Sequence, residues 1–306
     1  MPRVSTALEC SELSVRRGQR QVFSHAELRV QAGEIVSIIG PTGSGKTTFT
    51  EICLNRFKPD SGSVKLLGSD AGSKEIVSSI ACISNHMKFH NWDTVNKILQ
   101  YQIHKGRNFD ISVDYYDHVI DTLNIRARLN DRVNNLSDGE VCRLNLAAAL
   151  VSGAKLIMID EASTLLAYPE KTDVTVLINE AATQKRTVIL LTSHPHLLDG
   201  IDTKMFFLRN YGFIKQQQST DTDMSQTMVQ IQTETMTDEA LRELRKVALK
   251  IRIQGTSFNQ FSALLSSEEQ IPDLLKAMVM HGARVKSVYQ TAATLEEIYQ
   301  DVFLDQ

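Results

Sequence analysis

Nine consecutive residues, GPTGSGKTT at positions 40–48, carry the groups that phosphate binding needs. They follow the apolar run EIVSII and precede TTFTEICLNRF, whose apolar spacing is helical, so a loop between a buried strand and a helix is predicted. Glycines let several backbone N–H groups face one anion, and the helix N-terminus adds partial positive charge. In this GxxxxGK[ST] pattern, Lys46 is predicted to bridge the terminal phosphates of a nucleotide, and Thr47 to offer its hydroxyl to Mg²⁺. The predicted phosphate loop comprises Gly40, Pro41, Thr42, Gly43, Ser44, Gly45, Lys46, Thr47 and Thr48.

Two carboxylates and a histidine follow later strand patterns. Asp160 and Glu161 come directly after the apolar run LIMI. An acid at the end of a buried strand beside a phosphate loop can hold Mg²⁺, so Asp160 is the predicted metal-side ligand. The next carboxylate, Glu161, is the predicted general base for the attacking water. His194 ends the strand pattern in LTSHP and is predicted to contact the γ-phosphate or that water.

Ser137 and Gly139 stand in NNLSDGEVCRLNLAAALV, just ahead of a strong helix pattern. A serine at a helix start is normally an N-cap. The same hydroxyl and the neighbouring N–H groups could also face a phosphate that comes from outside the monomer. The sequence leaves both roles open.

Strand and helix patterns alternate along the first two thirds of the chain. Strands are predicted within residues 8–38 and over SVKLLG, IACISN, KLIMID and RTVILLTS, with helices between the later ones. This alternation predicts an α/β fold with a parallel sheet and helices on its faces. We divide the chain into a main domain, 1–215, with a helical insert at about 86–135, a polar linker, 216–239, and a small α/β domain, 240–306.

Composition excludes several classes of protein. The 306 residues are 42% apolar and 23% charged, with a formal net charge of −3, so no global basic field attracts DNA, RNA or an anionic membrane. Four scattered cysteines without a CxxC pair indicate reduced core thiols rather than zinc or disulfides. Because no apolar run approaches the roughly 20 residues that cross a bilayer, any membrane role is expected through a partner, from the cytoplasm.

Together the motifs resemble those of the ATP-binding subunit of ABC transporters, in order and spacing over about residues 8–215. GPTGSGKTT is similar to the Walker A loop, LSDGE to the signature, LIMIDEA to the Walker B strand, and His194 to the switch histidine. The resemblance implies a P-loop NTPase core with a mixed or parallel sheet, an antiparallel β subdomain and the helical insert. It also implies ATP and Mg²⁺ as cofactors.

The same resemblance implies partners. Two such domains pair head to tail, as a homodimer or a heterodimer, so that Ser137, Gly139 and Glu140 contact the nucleotide of the second ATP-binding subunit. The helical insert docks on an integral membrane permease, which places the chain peripherally on the inner face of the cell membrane. No nucleic acid is expected as a partner.

Several positions depart from the family pattern. Arg17 stands near where an aromatic residue usually stacks on adenine, and a cation–π contact with the base could replace it. Asn85 takes the place of a glutamine that reaches Mg²⁺ and water, on a shorter arm. Further substitutions are Asp138 for a signature glycine, Glu140 for the signature glutamine, and Ala162 and Ala167 after the Walker B strand. We therefore expect ATP hydrolysis that is slow or depends on the partner subunit.

The favoured hypothesis is an ATP-hydrolysing subunit that drives a separate permease. The ending TLEEIYQDVF is similar to tails of exporter-type ATPases, which favours export. The alternatives are a soluble ABC-type ATPase acting in translation or DNA repair, an unrelated P-loop kinase or GTPase, and a degenerate subunit of a heterodimer. A translation or repair ATPase would call for a second such domain or for long coiled coils. A P-loop kinase or GTPase would lack the signature. The degenerate-subunit alternative rests on the departures at Arg17, Asp138 and Ala167.

Overall fold

The computed structural model describes residues 6–73, 76, 79–84, 89–105, 111–161, 171–215, 227–253, 260–291, 299 and 303. The chain separates into two compact units, residues 1–216 with residue 306, and residues 217–305.

A six-stranded sheet forms the centre of the first unit. In spatial order it contains β10 (Gly212–Lys215), β9 (Lys204–Arg209), β3 (Ile35–Ile39), β8 (Thr187–Thr192), β7 (Leu156–Asp160) and β6 (Ile80–Ile83). All neighbours run parallel except the β9–β10 pair. Strands β3, β7 and β8 are buried at every position, as their continuous apolar runs predict. The predicted α/β core is therefore confirmed.

The parallel strands carry the candidate residues to one edge of this sheet. Ile39 pairs with Thr192, and Asp160 pairs with Leu191, so β3, β7 and β8 end side by side. The Gly40 N–H donates to the Thr192 carbonyl at 3.1 Å, which fixes the start of the phosphate loop against β8. The loop, Glu161 and His194 consequently leave the sheet next to one another.

A second, antiparallel sheet packs on this core. Its order is β2 (Arg20–Gln31), β1 (Thr6–Arg17), β4 (Ser61–Leu66) and β5 (Ser69–Asp70). An aromatic cluster joins the layers, because Phe23 of β2 stacks on Phe213 of β10 at 5.5 Å between centroids and Phe49 meets Phe213 at 4.9 Å. Phe49 belongs to the helix after the phosphate loop, so the cluster also holds that helix in place.

The helices of the first unit are α1 (Lys46–Cys53), α2 (Val95–Lys105), α3 (Val113–Thr122), α4 (Asp138–Val151) and α5 (Lys171–Thr183). Helices α2 and α3, with short 3₁₀ turns at Arg126–Arg128 and Val133–Asn135, fall in the predicted helical insert. Asn85, at the start of that insert, lies outside the described residues, as do Ala162 and Ala167.

One buried arginine ties the insert to the core. Arg186, just before β8, is 1% exposed, and its guanidinium donates to the carbonyls of Ala149, Leu150 and Ala154 and to the Tyr115 hydroxyl. Two of these carbonyls lie in the last turn of α4, which lacks the N–H groups of a following turn, and they also accept from the Ser152 hydroxyl and the Gly153 N–H. A cation at a helix C-terminus also complements the helix dipole.

The second unit has its own sheet and core. Its elements are β11 (Thr227–Thr235), α6 (Asp238–Val247), β12 (Lys250–Ile253), β13 (Gln260–Leu265), α7 (Ile271–Met280) and β14 (Arg284–Thr291). The antiparallel sheet has the order β12-β13-β11-β14, so the chain follows the β-α-β-β-α-β path of ferredoxin-like units. Both helices contribute to the core, with Leu244 and Met278 fully buried against Phe261.

The polar linker predicted at 216–239 is wrong over its second half. Residues 227–235 form β11, a central strand, and α6 begins at Asp238. The segment is rich in glutamine and threonine, but Val229, Ile231 and Thr233 alternate along it and are buried. A period of two with β-branched residues is a strand signal even where the intervening side chains are polar.

Candidate functional site

The phosphate loop closes around the Lys46 ammonium. Lys46 begins α1 and is 5% exposed; its Nζ donates to the carbonyls of Gly40 at 2.7 Å and Pro41 at 3.1 Å. The Ser44 N–H donates to the Pro41 carbonyl at 3.0 Å and tightens the same turn. The lysine side chain thus folds back along the loop.

Two loop positions require glycine for different reasons. Gly45 has φ 116°, and a Cβ there would lie 2.6 Å from Cγ1 of Val22. A Cβ on Gly40 would meet Oγ of Ser44 at 2.6 Å. The close approach of β2 and the curl of the loop therefore exclude larger residues at both positions.

Burial and two carboxylates act on Lys46 in opposite directions. Desolvation lowers the pKa of the Lys46 ammonium below its ordinary value, while the charges of Glu161 and Asp160 raise it. Desolvation has the larger effect on the pKa. Because the buried ammonium has lost solvation by water, an anion bound next to it would stabilise its charge strongly.

The two carboxylates differ in their exposure to solvent. Asp160 ends β7 and is 6% exposed, whereas Glu161 is half-buried with φ 63°, in the left-handed region. An unbranched but bulky residue rarely adopts this conformation, so the chain turns sharply after β7 and re-aims the Glu161 carboxylate.

Ser193 links the predicted base to the predicted switch histidine. Its Oγ donates to Oε1 of Glu161 at 3.1 Å and lies 3.1 Å from Nδ1 of His194. Because a hydroxyl has one hydrogen, the Nδ1–H of His194 is the donor in the second contact. Nε2 is then left as the acceptor of the neutral ring. Ser193 is not among the residues predicted for the site, although it stands beside the histidine in LTSHP.

A pocket of about 280 Å³ gathers most of the predicted nucleotide-binding residues. Glu161 reaches it from β7, and Arg17, Arg20 and Val22 reach it from the β1–β2 hairpin. Arg20 and Val22 were not predicted. The loop residues that line it are Thr42, Gly43, Gly45, Lys46, Thr47 and Thr48.

Arg17 lines this pocket but already has partners. Its guanidinium forms an ion pair with Glu51 of α1 and lies over the Phe57 ring, 4.7 Å from the centroid. A contact between Arg17 and adenine would have to use a part of the guanidinium that Glu51 and Phe57 do not cover. This contact stays a prediction.

The signature residues form a helix cap. Ser137 is the N-cap of α4, and its N–H and hydroxyl both donate to Oε2 of Glu140, at 2.8 Å each. Arg128 donates to Oε1 of the same carboxylate at 2.8 Å. The hydrogen bonds from Ser137, followed by that from Arg128, hold the pKa of Glu140 below its usual range. The N-cap role is therefore present, and Ser137, Gly139 and Glu140 are not among the described residues that line the loop pocket.

The donor set near the loop fits a magnesium ion that is bound together with phosphate. The Thr47 hydroxyl and the Asp160 carboxylate are hard oxygen ligands, and Mg²⁺ commonly takes only one or two of these from a protein. Within the described residues no group of three or more His, Cys, Asp or Glu could hold a metal ion. The site thus suits an ion that relies on a nucleotide for further ligands.

Across the described part of the chain, every helix is too short or too polar to cross a membrane.

Comparisons with known proteins agree with the motifs. The family model described as ABC transporter matches residues 23–164. The chain is 25% identical over 298 residues to the uncharacterized ABC transporter ATP-binding protein YdbJ of Bacillus subtilis, covering 95% of this chain and 93% of that protein. It is 28% identical over 199 residues to the Nod factor export ATP-binding protein I of Neorhizobium galegae, covering 63% of this chain and 56% of that one.

A solved structure described as the ATP-binding subunit of an ABC transporter matches the fold with a TM-score of 0.62. The sequences are 19% identical there, and the match covers 70% of this chain and 91% of that one. With the loop, the acidic strand end and the histidine on one sheet edge, residues 23–164 match the ABC transporter family, and the chain is similar to ATP-binding proteins of ABC transporters.

Proposed function

We propose that this chain binds ATP with Mg²⁺ and hydrolyses it, and that it drives export through a separate membrane permease. The observation that carries the proposal is the placement of the phosphate loop and Glu161 on one pocket, with Ser193 joining Glu161 to His194.

Each group has a role that its surroundings support. The loop N–H groups and the N-terminus of α1 bind phosphate oxygens, and the buried Lys46 ammonium balances their charge. When bound, Mg²⁺ would be held by Thr47 and Asp160 and would offset the charge that develops on the phosphates. Glu161 takes the proton of the attacking water. Ser193 keeps the Glu161 carboxylate and the His194 ring in fixed relation, with Nε2 of the histidine available to a water or a phosphate.

The signature supports a second ATP-binding subunit. The Ser137 hydroxyl is exposed and lies at the start of α4, where N–H groups and the helix dipole favour an anion. To bind the nucleotide of a second subunit, the hydroxyl must exchange the Glu140 carboxylate for a phosphate. Since that carboxylate repels a phosphate at short range, closure of the dimer is expected to be slow.

A groove beside the helical insert supports a permease partner. It has a volume of about 330 Å³ and lies among α1, β6, α2 and α4. Asn145 of α4 lines it and is 6% exposed, and its Oδ1 has no hydrogen-bond partner in the described part of the chain. A donor on an inserted permease segment would satisfy this oxygen. Export is favoured by the relative named for Nod factor export.

Hydrolysis is tested by comparing Glu161→Gln with the natural chain and with Glu27→Gln, an exposed carboxylate on β2. We expect Glu161→Gln to lower the steady-state rate of phosphate release at least about a hundredfold while ATP still binds, because the base is lost and the loop is kept. Glu27→Gln should match the natural chain. If the natural chain, supplied with its partner subunits, is as inactive as Glu161→Gln, it is a degenerate subunit rather than a motor.

The permease is tested by purifying the tagged chain from solubilised membranes and identifying what accompanies it. Recovery of integral membrane subunits supports the proposal. Recovery with ribosomes or DNA instead would contradict it in favour of a soluble ATPase.

A further inference from the structure

Arg20 lies at the mouth of the phosphate loop. It is the first residue of β2 and pairs with Arg17, the last residue of β1, across the hairpin. Its Nη2 donates to the Gly43 carbonyl at 2.9 Å. A Cβ on Gly43 would lie 3.6 Å from Nη1 and 3.8 Å from Nη2, so the guanidinium packs against the glycine itself. The hairpin thus delivers a cation to the middle of the loop.

The charge of Arg20 is not neutralised within the described part of the chain. Two other arginines of the hairpin have acidic partners, since Arg17 pairs with Glu51 and Arg29 pairs with Glu9. No carboxylate in the described residues comes within ion-pair distance of Arg20. The Gly43 carbonyl takes one of the five N–H donors of the guanidinium and leaves the net charge unchanged.

The open donors of Arg20 face the space that a nucleotide needs. Arg20 lines the pocket of about 280 Å³ together with Thr42, Lys46 and Thr47. A planar guanidinium with free donors matches phosphate oxygens in charge and geometry. Arg17 lines the same pocket but is occupied by Glu51 and Phe57, so of the two arginines that line it, Arg20 is the one without an acidic partner in the described residues.

From this geometry we infer that Arg20 binds a phosphate of the nucleotide, as a cation supplied from the β1–β2 hairpin in addition to Lys46. The inference rests on the proposed function, because it assumes that this pocket takes ATP. It assigns part of the affinity to a strand that precedes the loop by some twenty residues and lies outside the GxxxxGK[ST] pattern.

The test measures binding of ATP and of inorganic tripolyphosphate to the full chain by calorimetry. Arg20→Gln is compared with Arg16→Gln, which removes a charge from the same hairpin; Arg16 contacts Gln21 and does not line the pocket. A charge-assisted hydrogen bond to phosphate is worth about a factor of ten or more in affinity, so Arg20→Gln should weaken both ligands about tenfold. Arg16→Gln should stay within about twofold of the natural chain. Arg20→Lys keeps the positive charge but lacks the planar set of N–H donors of the guanidinium, so it should recover part of the lost affinity.

Three results overturn the inference. If Arg20→Gln binds both ligands as the natural chain does, Arg20 makes no contact with the nucleotide. If it weakens ATP but not tripolyphosphate, Arg20 contacts the base or the ribose instead of a phosphate. If the natural chain binds neither ligand, the proposed function fails and the inference fails with it, which separates that outcome from the first two.

Discussion

Ser193 joins the two side chains on which the proposed hydrolysis depends. Its hydroxyl contacts Glu161 and His194 at 3.1 Å each, so the orientation of one group is tied to that of the other. Glu161 has a strained left-handed backbone conformation. The hydrogen bond from Ser193 holds its carboxylate and so limits the movement by which the backbone could relieve that strain. Ser193 is therefore a positioning residue rather than a base or a nucleophile.

Replacing Ser193 by alanine is predicted to lower kcat for ATP hydrolysis about tenfold, since a hydrogen bond to a charged group is worth about 1.5 kcal/mol. KM for ATP should change little, because the loop and Lys46 are untouched. Steady-state kinetics across a pH series measures both quantities and shows any shift of the acidic limb, where a carboxylate base loses activity on protonation. Ser193→Thr keeps the hydroxyl and serves as the control. An unchanged kcat in Ser193→Ala would show that the contact is incidental.

The sequence predicted the loop, the acidic pair and the histidine because each is a local pattern that follows a buried strand. Arg20 could not be found in this way. It reaches Gly43 only because β1 and β2 form a hairpin that packs over the core sheet, and no spacing within the sequence encodes that contact. Ser193 lay beside a predicted residue, but its link to Glu161 depends on the adjacency of β7 and β8.

At the level of elements, α4 was predictable from both ends. Its start carries a capping box between Ser137 and Glu140, and its apolar run from Leu144 to Val151 is buried. The contact that holds this end was not predictable, because Arg186, which donates to carbonyls of the last turn, lies some 35 residues further along the chain. Strand β11 was not predicted, because the polar residues at every second position hid the alternation of buried residues that marks a strand.

Arg186→Met is predicted to destabilise the first unit by about 3–5 kcal/mol, the range for loss of one partner in a buried charged network. Methionine fills much of the volume but removes the guanidinium donors to the carbonyls of Ala149, Leu150 and Ala154. Urea unfolding followed by circular dichroism measures the change. Lys155→Met, an exposed residue before β7, should shift stability by less than about 0.5 kcal/mol. Equal stability of the two variants would show that Arg186 is dispensable.

At the level of the whole molecule, the site and the second unit are separate in the chain. Every predicted site residue that the structure describes falls within residues 1–216, and residues 217–305 have their own apolar core around Val229, Phe261 and Leu274. A unit with its own sheet and buried cluster can lose stability without disturbing the chemistry of the other. We therefore expect the role of this second unit to be separable from nucleotide binding by mutation.

Phe261→Ala tests that separation. Phe261 is 1% exposed in β13, and truncating a buried phenylalanine costs about 3–5 kcal/mol. We expect one calorimetric unfolding transition, that of the second unit, to move to lower temperature while the affinity for ATP stays unchanged. Tyr289→Ala, in the same sheet but 63% exposed, should leave both quantities close to those of the natural chain. A loss of ATP affinity in Phe261→Ala, with Tyr289→Ala unaffected, would mean instead that the folded second unit supports the phosphate loop and that the two units act as one.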